Sequence, residues 1–260
     1  MVQRSSTIDA DEVARFDRMA REWWDPKGPM RALHRFNPVR LAYVRDEAAR
    51  RFGREGRSAH LLDGLTALDV GCGGGVLSEP LARLGATVTG LDPAPTNLAV
   101  ARTHAERSGL SIDYRGETIE EVAGQGKRFD LVLAMEVVEH VPDMPAFVAA
   151  CCEAVRPGGL LFLATINRTA RAFALAIVGA EYVLGWLPRG THDWTKFVTP
   201  DELGRAVEGG GLRVTDEAGV VYNPLADRWS LSRDTAVNYM MTAARDAATP
   251  SAAARVGASG

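Results

Sequence analysis

The chain has 260 residues, of which 46% are hydrophobic and 24% are charged, and its formal net charge is -3. This composition is typical of a globular protein that buries a full core in one large domain. The slight acidic excess argues against nucleic acid as a partner, because there is no surplus of cations to replace the counterions of a phosphate backbone.

Three cysteines, with Cys151 and Cys152 adjacent, form neither a disulfide framework nor a metal-binding pair. This usage favours a reducing compartment, such as the cytoplasm. We predict neither a secretory signal nor a membrane span, because residues 1–11 contain no apolar segment and no run of about 18 apolar residues follows.

Residues 9–24 and residues 38–51 carry apolar side chains at helical spacing and are predicted to form two helices. Arg40 lies in the first turn of the second predicted helix, where a cation opposes the helix dipole. It therefore needs a partner or a ligand, unless it is a solvated surface residue.

The chain divides into three parts on this pattern. Residues 1–60 are predicted to be a helical cap, and residues 61–245 to be the main domain, with an insertion at residues 168–196. Residues 246–260 are rich in alanine, serine and glycine and are predicted to be a disordered tail.

The main domain begins with a short apolar strand that runs into four glycines within five positions. They are Gly71, Gly73, Gly74 and Gly75. Because glycine has no Cβ, such a turn takes positive φ angles and lets a ligand lie against bare backbone. After the first strand of an open α/β sheet, this is a nucleotide-cofactor site. A turn without a ligand would give up about 1 kcal/mol of backbone entropy for each glycine.

Two residues help to decide which nucleotide the loop binds. A dinucleotide motif requires a glycine where Val76 stands. Asp69, just before the loop, would repel a pyrophosphate and suits a cationic or zwitterionic ligand, either directly or by holding the loop amides. An NAD-dependent oxidoreductase stays open as an alternative.

Short strands and helices alternate from residue 66 onwards, which is the signature of a parallel sheet with helices on both faces. The predicted strands are residues 66–71, 86–91, 110–115, 129–134, 160–166, 212–221 and 235–243. They make an α/β fold with a seven-stranded, mostly parallel sheet. The second strand ends at Asp92, which is placed to accept hydrogen bonds from ribose hydroxyls, to cap the next helix, or to do both.

Glu136, Glu139 and His140 follow the fourth strand at a spacing that places them on one face of a helical turn. They border the expected cofactor cleft. Four interpretations are open: His140 as a general base, a carboxylate pair, a metal site, or a structural segment. Magnesium prefers oxygen ligands, so a Glu-Glu-His set is not its ideal cage.

The insertion after the fifth strand carries an apolar stripe that includes Phe173 and Ile177, followed by Tyr182 and Trp186. It is too short and too interrupted to span a bilayer. It can lie in the membrane interface, form a lid over an apolar substrate, or pack as a core helix. Its position at the cofactor edge of the sheet favours the first two.

Residues 68–75 resemble the first motif of the class I S-adenosylmethionine-dependent methyltransferases, and residues 157–159 resemble a late one. From residue 6 to residue 245 the chain resembles the bacterial ubiquinone-biosynthesis O-methyltransferases. The segments that carry this resemblance are residues 23–26, 33–40, 71–75, 135–141, 166–169, 190–194, 222–224 and 237–240. Residues 37–40 and 190–194 are far more specific than the glycine loop.

The resemblance implies a Rossmann-like fold and two O-methylations of polyprenylated phenols or catechols. It also implies S-adenosylmethionine contacts at Arg40, Gly71, Asp92 and Met135, to which we add Gly73 and Asp69 from the loop. In eukaryotic relatives, the positions matching three residues of this chain are assigned to Mg²⁺. They are Glu136, Glu139 and His140.

A phenol ionises with a pKa of about 10, so methylation at neutral pH needs a base or a metal. We predict that His140 is the base, or that a metal held by Glu136 and Glu139 activates the hydroxyl instead. The resemblance further implies a cytoplasmic protein that is peripheral on the inner membrane and contacts it through residues 168–190. Other enzymes of ubiquinone biosynthesis are expected partners. Two alternatives are methylation of another apolar small molecule and a non-enzymatic lipid-binding role.

Overall fold

The computed structural model describes residues 7–28, 30–54, 58, 60–173, 194–223, 225–226 and 228–247. Most of the predicted insertion and nearly all of the predicted tail, including the expected membrane contacts Ile177 and Trp186, lie outside these ranges. The division into cap, main domain and tail stays a prediction.

The described residues form one eight-stranded sheet, in the order β3-β2-β1-β4-β5-β8-β6-β7. Strands β1 to β5 are parallel, whereas β8, β6 and β7 are joined in antiparallel pairs. The strands are β1 Thr66–Val70, β2 Thr87–Leu91, β3 Asp113–Arg115, β4 Phe129–Met135, β5 Val155–Ile166, β6 Arg213–Asn223, β7 Arg228–Ser232 and β8 Asn238–Ala244. The predicted α/β class is confirmed, and β7 is one strand more than the seven predicted.

Eight α-helices surround this sheet in the described part of the chain. They are α1 Ala10–Arg18, α2 Arg31–Arg51, α3 Ser78–Arg83, α4 Pro95–Arg107, α5 Ile119–Gly124, α6 Met144–Glu153, α7 Ala170–Ala172 and α8 Pro200–Gly209. Each of them is too short or too polar to traverse a bilayer.

Helix α2 begins seven residues before the predicted start and continues through Pro38. A proline inside a helix removes a hydrogen bond and strains the preceding turn, so the sequence pattern placed the helix start there. Leu33 and Phe36 pack against neighbouring clusters, and this packing outweighs the local cost. The prediction that Arg40 lies in the first turn is therefore wrong, since it lies in the helix interior.

Two hydrophobic clusters cover the two faces of the sheet. Helices α5, α6 and α8 supply one cluster, through side chains such as Val122, Phe147 and Leu203. Helices α2 and α3 supply the other, through Val44 and Leu81. The central strand β4 is buried along its whole length, as expected for a parallel strand covered on both faces.

The hairpin of β6 and β7 extends past the carboxyl edge of the parallel strands. At this edge Ile166, the last residue of β5, pairs with Asn238. Strand β6 pairs with β8 only as far as Gly219, and from there it pairs with β7. Helix α2 packs against β7, so the hairpin and α2 form a wall above the sheet edge.

Candidate active site

A cavity of about 920 Å³ opens at the carboxyl edge of the parallel strands. Helix α1, helix α2, the glycine loop and the β6–β7 hairpin contribute to its walls. Eight of the predicted site residues line this one cavity: Arg40, Asp69, Gly71, Asp92, Met135, Glu136, Glu139 and His140. The sequence thus identified side chains that the fold brings together, although their individual roles stay predictions.

The glycine loop depends on backbone that other residues cannot adopt easily. Gly71 has a φ of 72°, and a Cβ there would lie 2.7 Å from a methyl group of Val137. Gly73 has a φ of 53°, and a Cβ there would overlap the ring of Trp23. Gly73 therefore lies beneath an aromatic side chain and is not among the cavity-lining residues. Trp24 also holds the loop, because its Nε1 donates to the Gly74 carbonyl at 2.8 Å.

Asp92 organises the loop from the end of β2. Its carboxylate accepts hydrogen bonds from the backbone amides of Gly73 and Ala94, each at 2.9 Å, and from the side-chain amide of Asn97 at 3.1 Å. Burial raises the pKa of Asp92, and these donors oppose the rise. The N-cap of α4 is Ala94 and has no side-chain cap, so the predicted helix-capping role of Asp92 is not observed. The carboxylate lines the cavity, and its hydrogen bonds with ribose hydroxyls stay a prediction.

Asp69 lies beneath the glycine loop and is only 3% exposed. Burial raises its pKa to about 7, although a hydrogen bond from the Ser78 hydroxyl at 2.5 Å lowers it. An uncharged or weakly charged acid at this position does not repel an anion strongly. The observed partner of Asp69 is the Ser78 hydroxyl, at the start of α3. This contact favours a role for Asp69 in holding the loop.

Arg40 is buried and forms an ion pair with Glu136, with 2.5 Å between Nη2 and Oε1. Burial lowers the pKa of the arginine, and the charges of Glu136 and Glu139 counteract this. Its Nε has no hydrogen-bond partner, so the guanidinium has a donor left for a ligand. Glu136 has a φ of 58°, a left-handed conformation that strains a side chain of this kind.

His140 ends a short 3-10 turn, Val138–His140, that follows β4. Its Nδ1 lies 3.2 Å from Glu12 Oε2, and the ring of Phe16 contacts it edge-on. Burial alone would lower the pKa of His140, but the neighbouring carboxylate of Glu12 and the charge of Glu139 outweigh burial and raise it. The contact with His140 in turn lowers the pKa of Glu12 to about 2.

Glu139 is buried and accepts a hydrogen bond from the Thr165 hydroxyl at 2.9 Å, while its other oxygen has no partner. Burial and the nearby charge of Glu136 raise the pKa of Glu139 to about 7. Removal of the carboxylate from water is the main cause of this rise, and repulsion by the second acid adds to it.

The three predicted metal ligands point to three different partners, Arg40, Thr165 and Glu12. Within the residues described, no group of three or more histidine, cysteine or acidic side chains gathers where it could hold a metal ion. The unpartnered oxygen of Glu139 is one potential donor, but a single oxygen does not make a site for Mg²⁺. This arrangement does not fit a metal centre.

Sequence analysis missed three residues that shape the site. Glu12 contacts His140, and Trp23 covers the glycine loop. Asn97 links Trp23 to Asp92, because it accepts a hydrogen bond from Trp23 Nε1 at 2.7 Å and donates one to the Asp92 carboxylate. Trp23 belongs to a segment that carries the family resemblance, which was a usable signal. Glu12 and Asn97 stand in ordinary helices, and no local spacing distinguishes them.

Comparison with solved structures shows the same fold. The magnesium protoporphyrin IX methyltransferase of Synechocystis PCC 6803, solved with bound SAH, superposes with a TM-score of 0.61 at 18% identity, over 90% of this chain and 94% of that one. Residues 68–163 match the family described as a methyltransferase domain. Together with the glycine loop and Asp92, these findings define a class I S-adenosylmethionine-dependent methyltransferase.

Closer relatives narrow this class. The ubiquinone biosynthesis O-methyltransferase of Methylobacterium sp. (strain 4-46) is 71% identical over 93% of this chain and 97% of its own length. Its counterpart in Chelativorans sp. (strain BNC1) is 60% identical over 94% of this chain and 97% of its own. The chain belongs to the ubiquinone biosynthesis O-methyltransferase family. This confirms the predicted family and sets the NAD-dependent alternative aside.

Proposed function

We propose that this chain transfers methyl groups from S-adenosylmethionine to hydroxyls of polyprenylated phenols or catechols, in the two O-methylation steps of ubiquinone biosynthesis. The single observation that carries the proposal is the continuity of the cavity. It runs from Asp92 and the glycine loop to His140 and on to an apolar wall. A cofactor, a base and an apolar acceptor therefore have room at one site.

When bound, S-adenosylmethionine supplies an activated methyl group. Gly71 would give the cofactor access to bare backbone, and Asp92 would accept hydrogen bonds from the ribose. Met135 is buried at the end of β4 and lines the cavity, so it would contact the adenosine. Arg40 would pair with the carboxylate of the methionine portion, since guanidinium–carboxylate pairs are strong. Because little covalent chemistry is left to the protein, alignment provides most of the rate.

His140 accepts the proton of the acceptor hydroxyl. Glu12 faces Nδ1, so Nδ1 carries the hydrogen of the neutral ring and Nε2 is the nitrogen that acts as base. The carboxylate of Glu12 then stabilises the imidazolium that forms. A nearby base makes deprotonation of a phenol possible at neutral pH, and such a base works best when its pKa lies near the operating pH.

The acceptor's tail would bring the protein to the inner membrane from the cytoplasm as a peripheral protein, through residues 168–190. Support comes from Phe173 at the start of this segment, which is 44% exposed. The Phe173→Glu variant should partition less onto liposomes, and Leu231→Glu, at an equally exposed position on β7, should not. Equal partitioning of both variants and the wild type would remove the idea. Association with other enzymes of the pathway is proposed on the same grounds.

The decisive experiment measures transfer of labelled methyl from S-adenosylmethionine to a short-tailed demethylubiquinol, with magnesium and with a chelator. Because Glu136, Glu139 and His140 contact different partners and form no common site, we expect transfer to survive chelation and to fall strongly in His140→Ala. Transfer that collapses on chelation would show that the donors regroup around a metal. Tight SAH binding without any transfer would mean a methyltransferase with another acceptor.

A further inference from the structure

Three aromatic side chains form a continuous wall at one end of the cavity. Phe36, Tyr222 and Trp229, here called the aromatic wall, all line the cavity and are half-buried. The Phe36 and Trp229 ring centroids are 5.5 Å apart, and the Trp229 and Tyr222 centroids are 5.0 Å apart. These tilted contacts are within the range that aromatic pairs favour.

The wall is built from distant parts of the chain. Phe36 comes from the first half of α2, and the other two residues face each other across the β6–β7 hairpin as the paired residues Tyr222 and Trp229. The hairpin is the part of the sheet that extends beyond the carboxyl edge. It therefore adds apolar surface to a cavity whose opposite end is the polar glycine loop.

The wall begins where the proposed cofactor site ends. The guanidinium of Arg40 lies 4.1 Å from the Phe36 ring centroid, and at the far end Arg35 lies 5.8 Å from the Tyr222 ring. Each cation contributes to holding its ring by the ring quadrupole. This chain of contacts thus leads from the buried arginine to half-buried side chains of α2 and the hairpin.

We propose that the aromatic wall binds the first isoprene units of the acceptor's tail. The inference rests on the proposed function, and it names which part of the acceptor this end of the cavity holds. The reacting ring must lie within reach of the cofactor's methyl group and of His140, so it does not extend past Arg40. What lies beyond Arg40 is the substituent on that ring, and half-buried aromatic faces suit a branched hydrocarbon chain.

The test compares two acceptors in four proteins. One acceptor is a catechol that carries two isoprene units, and the other is the same catechol without the tail. The proteins are the wild type, Trp229→Ala, Tyr222→Ala and Leu231→Ala. Leu231 is the matched control, because it lies two residues after Trp229 on the same strand but is not among the cavity-lining residues.

In the wild type, the tail should lower KM, since apolar surface leaves water on binding. We expect Trp229→Ala and Tyr222→Ala to raise KM for the tailed catechol about tenfold, the order that a few buried methylenes produce. KM for the tailless catechol, kcat and the affinity for SAH should change less than twofold. Leu231→Ala should behave as the wild type, and unchanged SAH affinity in the two wall variants shows that they are folded.

The possible failures are distinguishable. If the wild type shows no benefit from the tail, or if both wall variants keep that benefit, the inference is wrong while the proposed function stands. If the wall variants instead lose affinity for SAH, the wall belongs to the cofactor site and the inference is equally wrong. If the wild type binds SAH but methylates neither catechol, the proposed function is wrong, and the inference is wrong because it rests on that function.

Discussion

The two ends of the cavity are held together by different kinds of contact. At the cofactor end, Gly73 and Asp92 are 19 residues apart in sequence and are joined by a hydrogen bond from the Gly73 backbone amide to the Asp92 carboxylate. At the acceptor end, His140 and Glu12 come from distant parts of the chain and are joined only by side chains. One end follows from the local path of a strand–loop–helix unit, and the other depends on how distant elements pack.

This difference separates two kinds of information in the sequence. The cofactor end needs particular backbone conformations, so it selects glycine and acid residues at fixed spacing. The acceptor end needs shape and complementary charge, which many combinations of residues can supply. We therefore expect substitutions at the cofactor end to affect SAH binding most, and substitutions at the acceptor end to alter pH dependence and acceptor affinity.

The largest effect, a loss of affinity for SAH, is expected for Asp92→Ala. The change removes the acceptor that the Gly73 amide and the Asn97 side chain share, as well as the proposed ribose contact. A hydrogen bond to a charged group contributes about 1.5–3 kcal/mol, so affinity for SAH should fall about a hundredfold by titration calorimetry.

The control for this variant is Asp113→Ala. Asp113 begins the neighbouring strand β3, but its carboxylate is exposed and pairs with Arg115 at the surface. Affinity for SAH should stay within about twofold of the wild type, because exposed ion pairs contribute little. Equal losses in both variants would show that the cofactor end is not organised by Asp92.

A smaller effect is expected for Gly73→Ala. The new Cβ meets Trp23, and a φ of 53° is costly for alanine. We expect affinity for SAH to fall about tenfold and the free energy of unfolding to fall by about 1–2 kcal/mol. Gly124→Ala is the matched control, since nothing lies within 4 Å of its added Cβ. It should bind SAH normally, and a loss of affinity there would argue against a local cause.

The predictability of the site from the sequence follows the same division. Asp92, Gly71 and the five parallel strands β1 to β5 were predicted, because each depends on short-range patterns. Strand β7 was missed although its five residues, Arg228–Ser232, alternate between polar and apolar side chains. So short a run gains its strand conformation by pairing with β6. The helical start at Pro38 was wrong because tertiary packing outweighs the local preference of proline.

At the acceptor end, the spacing of residues in a sequence motif did not predict the partners of their side chains. Glu136, Glu139 and His140 were identified as a group on one helical face, but the chain after β4 forms a strained residue and a single 3-10 turn. Their side chains consequently point to different partners. The partner of His140 is Glu12, which comes from α1 near the start of the chain. No spacing in the sequence indicates this pair.

The Glu12→Gln variant tests that long-range contact. Glu12 raises the pKa of His140, so removing its charge should lower that pKa. The neutral imidazole, which is the base, then persists to lower pH. We expect the acidic limb of the pH profile of kcat/KM to move to lower pH, while SAH affinity is unchanged. Asp11→Asn, an exposed neighbour on α1, should leave the limb in place. An unmoved limb in Glu12→Gln would mean that another group is the base.

The smallest effect, a small loss of thermal stability, is expected for Asp17→Ala, at the contact between α1 and α4. Asp17 of α1 accepts hydrogen bonds from the Thr96 amide at 3.0 Å and from the Thr96 hydroxyl at 2.9 Å. Helix α4 has no side-chain cap of its own at Ala94, so Asp17 acts as its cap from outside the helix. Loss of a cap costs about 1 kcal/mol, and Asp17→Ala should lower the melting temperature by about 2–4 °C.

A double-mutant cycle with Thr96→Ala distinguishes this bridge from a general effect of α1. If the cap is shared, the double variant should lose about as much stability as Asp17→Ala alone, because the second change removes a hydroxyl that has already lost its partner. Strictly additive losses would mean that α1 is fastened elsewhere, for example by Lys196, which pairs with Asp9 and Glu12 at 3.6 and 3.4 Å. The helix that holds His140 would then be independent of the helix that follows Asp92, and the two ends of the cavity would be energetically separate.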